Sequence, residues 1–312
     1  MKKPKIVVVG SSNTDMVIKV PKLPAPGETV LGSDFLMAAG GKGANQAVGA
    51  ARLGADVTFI ARVGADVFGE KSIENFKNEG INTDYIVVDQ NSPSGVALIF
   101  VDEDGENVIA VASGANNNLS VQDVMAAREV IEKADVLLLQ LEIPLDTVLY
   151  AAQLAAKAGV KVILNPAPAQ KLSQDLLASV SVLTPNESEA EILSGVEVKD
   201  ENSAKEAAES LLEKGVSNVI ITMGSKGSAL YYENQFVQIP SKKIEAVDTT
   251  AAGDAFNGAL AYALGSGNML PEAVKFANYV GALSATKMGA QPSMPTQEEV
   301  KEFINSGLET IP

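Results

Sequence analysis

Val136-Leu137-Leu138-Leu139-Gln140-Leu141-Glu142 begins the stretch that decides the fold class. An amphipathic segment, Asp146–Ala158, follows it, and then a second apolar run, Val160-Lys161-Val162-Ile163-Leu164-Asn165. Two short runs of buried-strand character joined by a helix lie side by side in parallel, because the crossover returns the chain to the edge it left. Outward from this unit the rhythm repeats. Val57, Phe59 and Ile60, then Val180, Val182 and Leu183, then Val219-Ile220-Ile221 supply further strands, with helical patterns over Val121–Lys133 and Ala204–Lys214. Strands apolar on both faces need cover on both faces. The expectation is an α/β protein with a mostly parallel central sheet between helices.

Two segments break the rhythm. Residues 16–36 hold extended pieces around Pro21-Lys22-Leu23-Pro24-Ala25-Pro26-Gly27. Residues 95–112 read as a hairpin, Val96–Val101 and Val108–Ala112, around Asp102-Glu103-Asp104-Gly105-Glu106-Asn107. Neither contains a helix to cover a parallel strand. They are expected to form a small antiparallel β lid, about 15–38 and 95–112, inserted in one domain that spans 1–312.

Composition removes several function classes. The 312 residues are 46% hydrophobic, enough for one large core with an appendage. A net charge of −15 argues against nucleic acid or an anionic membrane as partner. With neither Cys nor His, the chain has no disulfide, thiol nucleophile, imidazole base or usual zinc ligand. Acid–base work must fall to Asp, Glu, Lys or Tyr. The start, Met1-Lys2-Lys3-Pro4-Lys5 before Ile6-Val7-Val8-Val9, carries too short an apolar run for a signal peptide, and no stretch has the length of a membrane span. A cytoplasmic protein is expected.

Ligands of open α/β sheets bind beyond the carboxyl ends of the strands. Five strands here deliver polar groups to that edge: Ser11-Ser12-Asn13-Thr14-Asp15, Glu142, Asn165, Thr184-Pro185-Asn186-Glu187, and Thr222-Met223-Gly224-Ser225-Lys226-Gly227. Asn165 or Asn186 alone would read as a cap; five strand ends together mark a site. Two glycine-rich turns add to it. Gly40-Gly41-Lys42-Gly43-Ala44-Asn45 opens a helix to about Leu53, with neither Walker nor dinucleotide spacing, and Asn45 can donate to and accept from a polyol. Asp248-Thr249-Thr250-Ala251-Ala252-Gly253-Asp254 opens another helix, whose first N–H groups lack intrahelical partners and suit an anion. A carboxylate, Asp254, in the rim of an anion hole makes sense if it acts on a hydroxyl that attacks a phosphate.

These motifs, with Asn186-Glu187-Ser188-Glu189 in the middle of the chain, resemble those of the ribokinase (PfkB-type) family of sugar kinases from about Ile6 to Pro295. Asn13 and Asp15, Pro24-Ala25-Pro26-Gly27-Glu28-Thr29, Asn165-Pro166-Ala167-Pro168 and Gly289-Ala290-Gln291-Pro292-Ser293 extend the likeness. The resemblance implies a ribokinase-like three-layer α/β/α sandwich with a β lid. It also implies ATP-dependent phosphorylation of D-ribose at O5, giving ribose 5-phosphate and ADP. Asp254 would accept the hydroxyl proton, with a pKa lowered by the helix N-terminus. The N–H groups of Ala252, Gly253 and Asp254 would stabilise charge on the transferred group. Asn13, Asp15, Gly41, Lys42, Asn45 and Glu142 would hold the sugar.

On the nucleotide side the resemblance implies Asn186 and Gly253 near the phosphates and Thr222, Gly224, Ser225 and Gly227 around the phosphates and nucleoside. Asn278 stands where the family often has a His against adenine. Glu189 would organise magnesium through water. Asp248, Thr250, Ser284, Lys287, Gly289 and Ser293 would surround potassium or a similar monovalent cation, mostly by main-chain carbonyls. The lid's open strand edges imply a homodimer. Kinases of fructose, a keto-deoxy acid or a nucleoside share these motifs, and a non-catalytic sugar or nucleotide sensor is the alternative from another class. A dehydrogenase is disfavoured by the missing dinucleotide fingerprint.

Overall fold

The computed structural model describes residues 3–103 and 106–306. The first two residues, read above for a leader, and Asp104-Gly105 of the expected lid turn lie outside that range. The chain begins with β1 (Lys5–Val9), β2 (Asn13–Lys19), β3 (Phe35–Gly40), α1 (Lys42–Arg52), β4 (Asp56–Gly64), α2 (Val67–Asn78) and β5 (Ile86–Asp89). Then come β6 (Gly95–Val101), β7 (Asn107–Ala112), α3 (Val121–Ala126), α4 (Arg128–Glu132), β8 (Val136–Leu139), α5 (Leu145–Lys157), β9 (Lys161–Leu164), α6 (Gln174–Leu177) and β10 (Val182–Leu183). The remainder is α7 (Glu187–Ser194), α8 (Glu201–Glu213), β11 (Val219–Thr222), β12 (Ser228–Tyr232), β13 (Gln235–Ile239), α9 (Ala252–Gly265), α10 (Leu270–Ser284) and α11 (Gln297–Asn305).

Nine strands form the main sheet in the order β13-β12-β11-β10-β9-β8-β1-β4-β5, in which only β12 runs against the rest, antiparallel to both β11 and β13. The period-two pleat of β1 explains the layers. Val7 and Val9 pack into one buried cluster with Leu137, Leu139 and the α5 face, while Ile6 and Val8 enter a second with Leu138, α1 and α9. Each wholly buried aliphatic side chain contributes about 1.5–3 kcal/mol. Several helices start where a side chain closes the first turn: Asn186 with Glu189, Asp200 with Ser203 and Thr296 with Glu299 are reciprocal caps. The pattern over Val121–Lys133 resolves into two short helices, broken at Ala127.

The chain runs from β1 to β4 and β5 on one side and to β8 and its successors on the other, so the order of winding reverses between β1 and β8. A crevice opens at such a point beyond the carboxyl ends.

The lid corrects one expectation. Its four strands, β3-β2-β6-β7, form a mixed sheet, since β2 and β6 pair parallel from Asn13↔Gly95 to Lys19↔Val101. The reason is continuity: β2 leaves β1 and β6 leaves β5 at the same edge of a parallel sheet, so both run on in one direction. The register divides the lid into two faces. Asp15, Val17, Leu36, Ile99, Ile109 and Val111 share one face, and Met16, Phe35, Met37, Leu98, Phe100 and Val108 share the other.

Candidate active site

Asp254 sits in the first turn of α9, 6% exposed, gripped from α1. Asn45 Nδ2 donates to its Oδ2 and Gln46 Nε2 to its Oδ1, each at 2.9 Å. The two helices approach closely because Gly258 has no side chain; a Cβ there would lie 2.8 Å from the Gln46 carbonyl oxygen. Burial pushes the Asp254 carboxyl above its ordinary pKa, against the pull of Lys42, Asn45 and Gln46. The lowering expected from the helix N-terminus is not found, because desolvation is the larger effect and burial cannot be read from the sequence.

The loop before it ends on Ala251 in the left-handed region, φ 60°, and no side chain caps the helix. The Ala252 N–H, expected in the anion hole, already donates to the Thr249 carbonyl at 3.2 Å. Gly253 is exposed, and no acceptor for its N–H or for that of Asp254 is found among the described residues. Asn257 fixes this turn: it accepts from Thr184 Oγ1 at 2.6 Å and donates to the Gly253 carbonyl at 2.8 Å.

The sugar-side candidates meet at the reversal of winding. Glu142, just beyond β8, accepts from Ser11 Oγ at 2.5 Å and from the Lys42 N–H at 3.1 Å, closing the ends of β1 and β8 over the start of α1. Asn13 Oδ1 accepts from Asn116 Nδ2 at 2.7 Å, and Asn116 also holds the Ser12 backbone. Only glycine suits positions 40 and 41. A Cβ on Gly40 would lie 2.1 Å from the Asp15 carboxylate, and one on Gly41, at φ 90°, 2.6 Å from the Asn13 nitrogen. A cavity of about 330 Å³ opens beside Asn13 and Glu142, with Val111 of the lid and Pro168 among its walls.

Charge ties these residues into one cluster. Burial, then the nearby Glu142 and Asp254 charges, push the Asp15 carboxyl up to about 6, with Lys42 opposing. Burial draws the Lys42 ammonium down, but Asp254, Glu142, Glu189 and Asp15 outweigh it and its pKa rises. One ammonium thus serves four carboxylates. Added negative charge there is unfavourable unless more cation or more N–H groups arrive with it.

On the nucleotide side the loop at Asn186 and the turn at Thr222 join by a bridge, Asn186↔Thr222. Gly224 and Gly227 both have positive φ, 52° and 91°, and a Cβ on Gly227 would lie 2.2 Å from the Ile239 carbonyl oxygen. Ser225 is exposed between them. Glu189 closes the α7 cap by accepting from the Asn186 N–H at 2.9 Å; its pKa is raised by burial and it feels Lys42 and Asp254, so it faces the cluster. Asn278 departs from expectation. It is 6% exposed, accepts from Ser228 Oγ at 2.6 Å and donates to the Ile239 carbonyl at 3.0 Å. Its amide joins α10 to the β12–β13 hairpin.

Asp248 pins the loop that leads to α9. Its Oδ1 accepts from the Thr250 N–H at 2.9 Å and its Oδ2 from the Gly289 N–H at 2.8 Å, which hold its pKa down against burial. Ser284 and Ser293 bond through their hydroxyls at 2.9 Å in the adjoining segment. The Lys287 side chain pairs with Glu299 of α11, leaving only its main chain for a cation. Asp248 brings a carboxylate, a hard oxygen donor of the kind alkali cations take, to this segment. Among the described residues no three carboxylates gather to cage a metal ion.

Four residues that the sequence reading left without a role appear here: Gln46, Asn116, Gln140 and Asn257. Gln140 carried a visible signal, since it interrupts the apolar run from Val136 to Leu141. Asn116 and Asn257 carried none.

A buried carboxylate at a helix N-terminus, on the carboxyl edge of a parallel sheet and under a β lid, defines a small-molecule phosphotransferase. Residues 3–297 match the pfkB family carbohydrate kinase model, and the chain belongs to that family. Ribokinase of Haemophilus influenzae is 48% identical over 96% of this chain and 98% of its own length. Deoxyribokinase of Salmonella typhi is 39% identical over 96% and 98%. The solved structure of Arabidopsis thaliana ribokinase complexed with ribose and ATP superposes with a TM-score of 0.89 and 34% identity, over 97% of this chain and 99% of that one. The protein is therefore a ribokinase-type kinase that phosphorylates a sugar hydroxyl.

Proposed function

We propose that the protein transfers the γ-phosphoryl group of ATP to O5 of D-ribose. The observation that supports this reading is the grip of Asn45 and Gln46 on Asp254, a buried carboxylate beside the sugar-side cluster at the N-terminus of α9. Asp254 takes the proton of the attacking hydroxyl. A loose phosphoryl-transfer transition state needs an aligned nucleophile more than a strong base. The N–H groups of Gly253 and Asp254 stabilise charge on the transferred group, with Ala252 joining only if its bond to Thr249 yields. Asn13, Asp15, Gly41, Lys42, Asn45 and Glu142 orient the sugar, and Lys42 offsets part of the incoming phosphate charge.

Asn186, Thr222, Gly224, Ser225, Gly227 and Gly253 receive the nucleotide. Glu189 would hold the nucleotide's magnesium through water, and the ion would supply charge neutralisation for the phosphates. Asp248 and the carbonyls of Thr250, Ser284, Lys287, Gly289 and Ser293 would hold a monovalent cation, which would brace the α9 loop. The lid closes over the sugar and excludes water. Its second face, with Phe35, Met37, Leu98 and Val108 exposed, pairs with the same face of a second copy. Among the described residues no helix is long and apolar enough to cross a membrane, and the cytoplasm, where ATP is made, is the fitting location.

The likeness to a deoxyribokinase favours one second reading, 2-deoxyribose as acceptor. A panel of ribose, 2-deoxyribose, fructose and nucleosides, with and without potassium, decides. Ribose-dependent ADP formation that rises with potassium is expected; turnover of another acceptor with none on ribose would remove the substrate assignment.

A further inference from the structure

Gln46 has no contact with substrate in the reading above, yet it is wholly buried beside the reacting carboxylate. Its Nε2 donates to Asp254 Oδ1 at 2.9 Å and to Asn165 Oδ1 at 3.0 Å, and its Oε1 accepts from Gln140 Nε2 at 2.6 Å. Only one orientation of this amide works. Turned over, it would set Oε1 against an ionised carboxylate, which accepts only, and NH₂ against the NH₂ of Gln140.

The surroundings are built for this chain of amides. Gln140 is wholly buried between apolar neighbours, and its Oε1 has no hydrogen-bond partner among the described residues. Such a burial costs free energy unless the group does something. Space for it comes from Gly10, where a Cβ would lie 2.1 Å from Gln140 Oε1. Gly43 completes the fit: its Cβ would lie 2.7 Å from the Gly10 Cα. Asn45 takes the second Asp254 oxygen, so the carboxylate is held at both ends and its plane cannot turn.

We propose that Gln46, set in one orientation by Gln140 and Asn165, is a positioning residue that fixes the plane of the Asp254 carboxylate for proton transfer from the sugar hydroxyl. The inference rests on Asp254 as the base. The charged groups around that carboxylate are Lys42 of α1, Asp15 of the lid, Glu142 after β8 and Glu189 of α7. None of them replaces an N–H donor at Oδ1. Gln46→Glu keeps the size of the side chain but sets a second carboxylate against the first, which raises the pKa of Asp254 further. A base is inactive when protonated, so activity is then lost at higher pH as pH falls.

The test is steady-state kinetics on the active sugar over about pH 5–9 for Gln46→Glu, Gln46→Met, Gln140→Leu and Asp254→Asn, with folding checked by thermal unfolding. Both Gln46 variants are expected to lose about tenfold or more in kcat while KM for sugar and ATP stays within about threefold. Gln46→Glu also moves the acid limb of the profile upward, and Gln140→Leu gives a smaller loss of kcat alone. If Gln46→Glu does not fold, Gln46→Met and Gln140→Leu decide by the same separation of kcat from KM. Folded Gln46 variants with wild-type kcat, or with a defect confined to sugar KM, would overturn the positioning role. Should Asp254→Asn keep activity within about tenfold, the base assignment fails and the inference with it; an inactive Asp254→Asn beside fully active Gln46 variants removes the inference alone.

Discussion

Asp15 shows at the scale of one residue how this site sets binding against stability. Its carboxyl is pushed up to about 6 from an ordinary value of 3.8 by burial and by two neighbouring carboxylates. The folded protein therefore binds this proton more tightly than the unfolded chain does. As pH rises from about 4 to about 6, stability is lost, and above that range the ionised group weighs against the fold by up to about 3 kcal/mol. Asp15→Asn should raise the unfolding temperature near pH 8, show no gain near pH 4, and lose sugar turnover; calorimetry at the two pH values checks it. Asp254 is the complementary case. Replacing it by Asn removes the base and turns an NH₂ toward the amide of Asn45 or Gln46, so kcat is expected to fall by about 10²–10⁴, measured with saturating sugar and ATP.

At the scale of elements, the site depends on how near α1 comes to α9. Gly258→Ala places a methyl 2.8 Å from the Gln46 carbonyl oxygen and 3.0 Å from the Ala50 nitrogen. The helices must part, at a cost of about 1–3 kcal/mol, and kcat should drop as Asn45 and Gln46 retreat from Asp254; chemical denaturation and kinetics on the same preparation report both. Arg52 closes the other end of α1, donating to the carbonyls of Gln291 and Met294 at 2.8 Å each and pairing with Glu79 at 2.6 Å. Arg52→Ala loosens the segment around Ser293, and a potassium titration of activity should show a higher half-activating concentration.

Most of the parallel sheet was legible because its strands are unbroken apolar runs between amphipathic helices. The β12–β13 hairpin was not. Its turn places Glu233 and Asn234 at φ 47° and 61°, where Asn-Gly would have signalled it and Glu gives no cue. Lys42, Glu142 and Asp254 could be read as one site because each follows a strand or opens a helix at the same edge, and Asp15, which lies inside β2, because that strand continues from the end of β1. Burial was not readable, and it decides both the rise in the Asp254 pKa and the inward turn of Asn278.

For the whole molecule, the lid's second face sets the expected assembly. Phe35, Met37, Leu98 and Val108 stand 63%, 46%, 48% and 51% exposed in neighbouring rows, an apolar patch that a single copy leaves in water. Leu98→Asp puts a charge at its centre and should shift sedimentation from dimer to monomer, while a wild-type monomer at micromolar concentration would remove the proposal. The winding of the main sheet has another consequence. Every sugar-side candidate except Asp254 lies before Leu145, within β5-β4-β1-β8 and the lid, while the nucleotide side lies on β10 and after. The border between β8 and β9 thus separates the acceptor side from the nucleotide side, while α9, from the later part of the chain, packs back on α1, β1 and β8 of the first side. During synthesis the acceptor side is made first, yet its Ile6, Val8 and α1 face stays uncovered until the last third of the chain supplies α9, so the helix that carries Asp254 is also the piece that closes the core beneath the sugar.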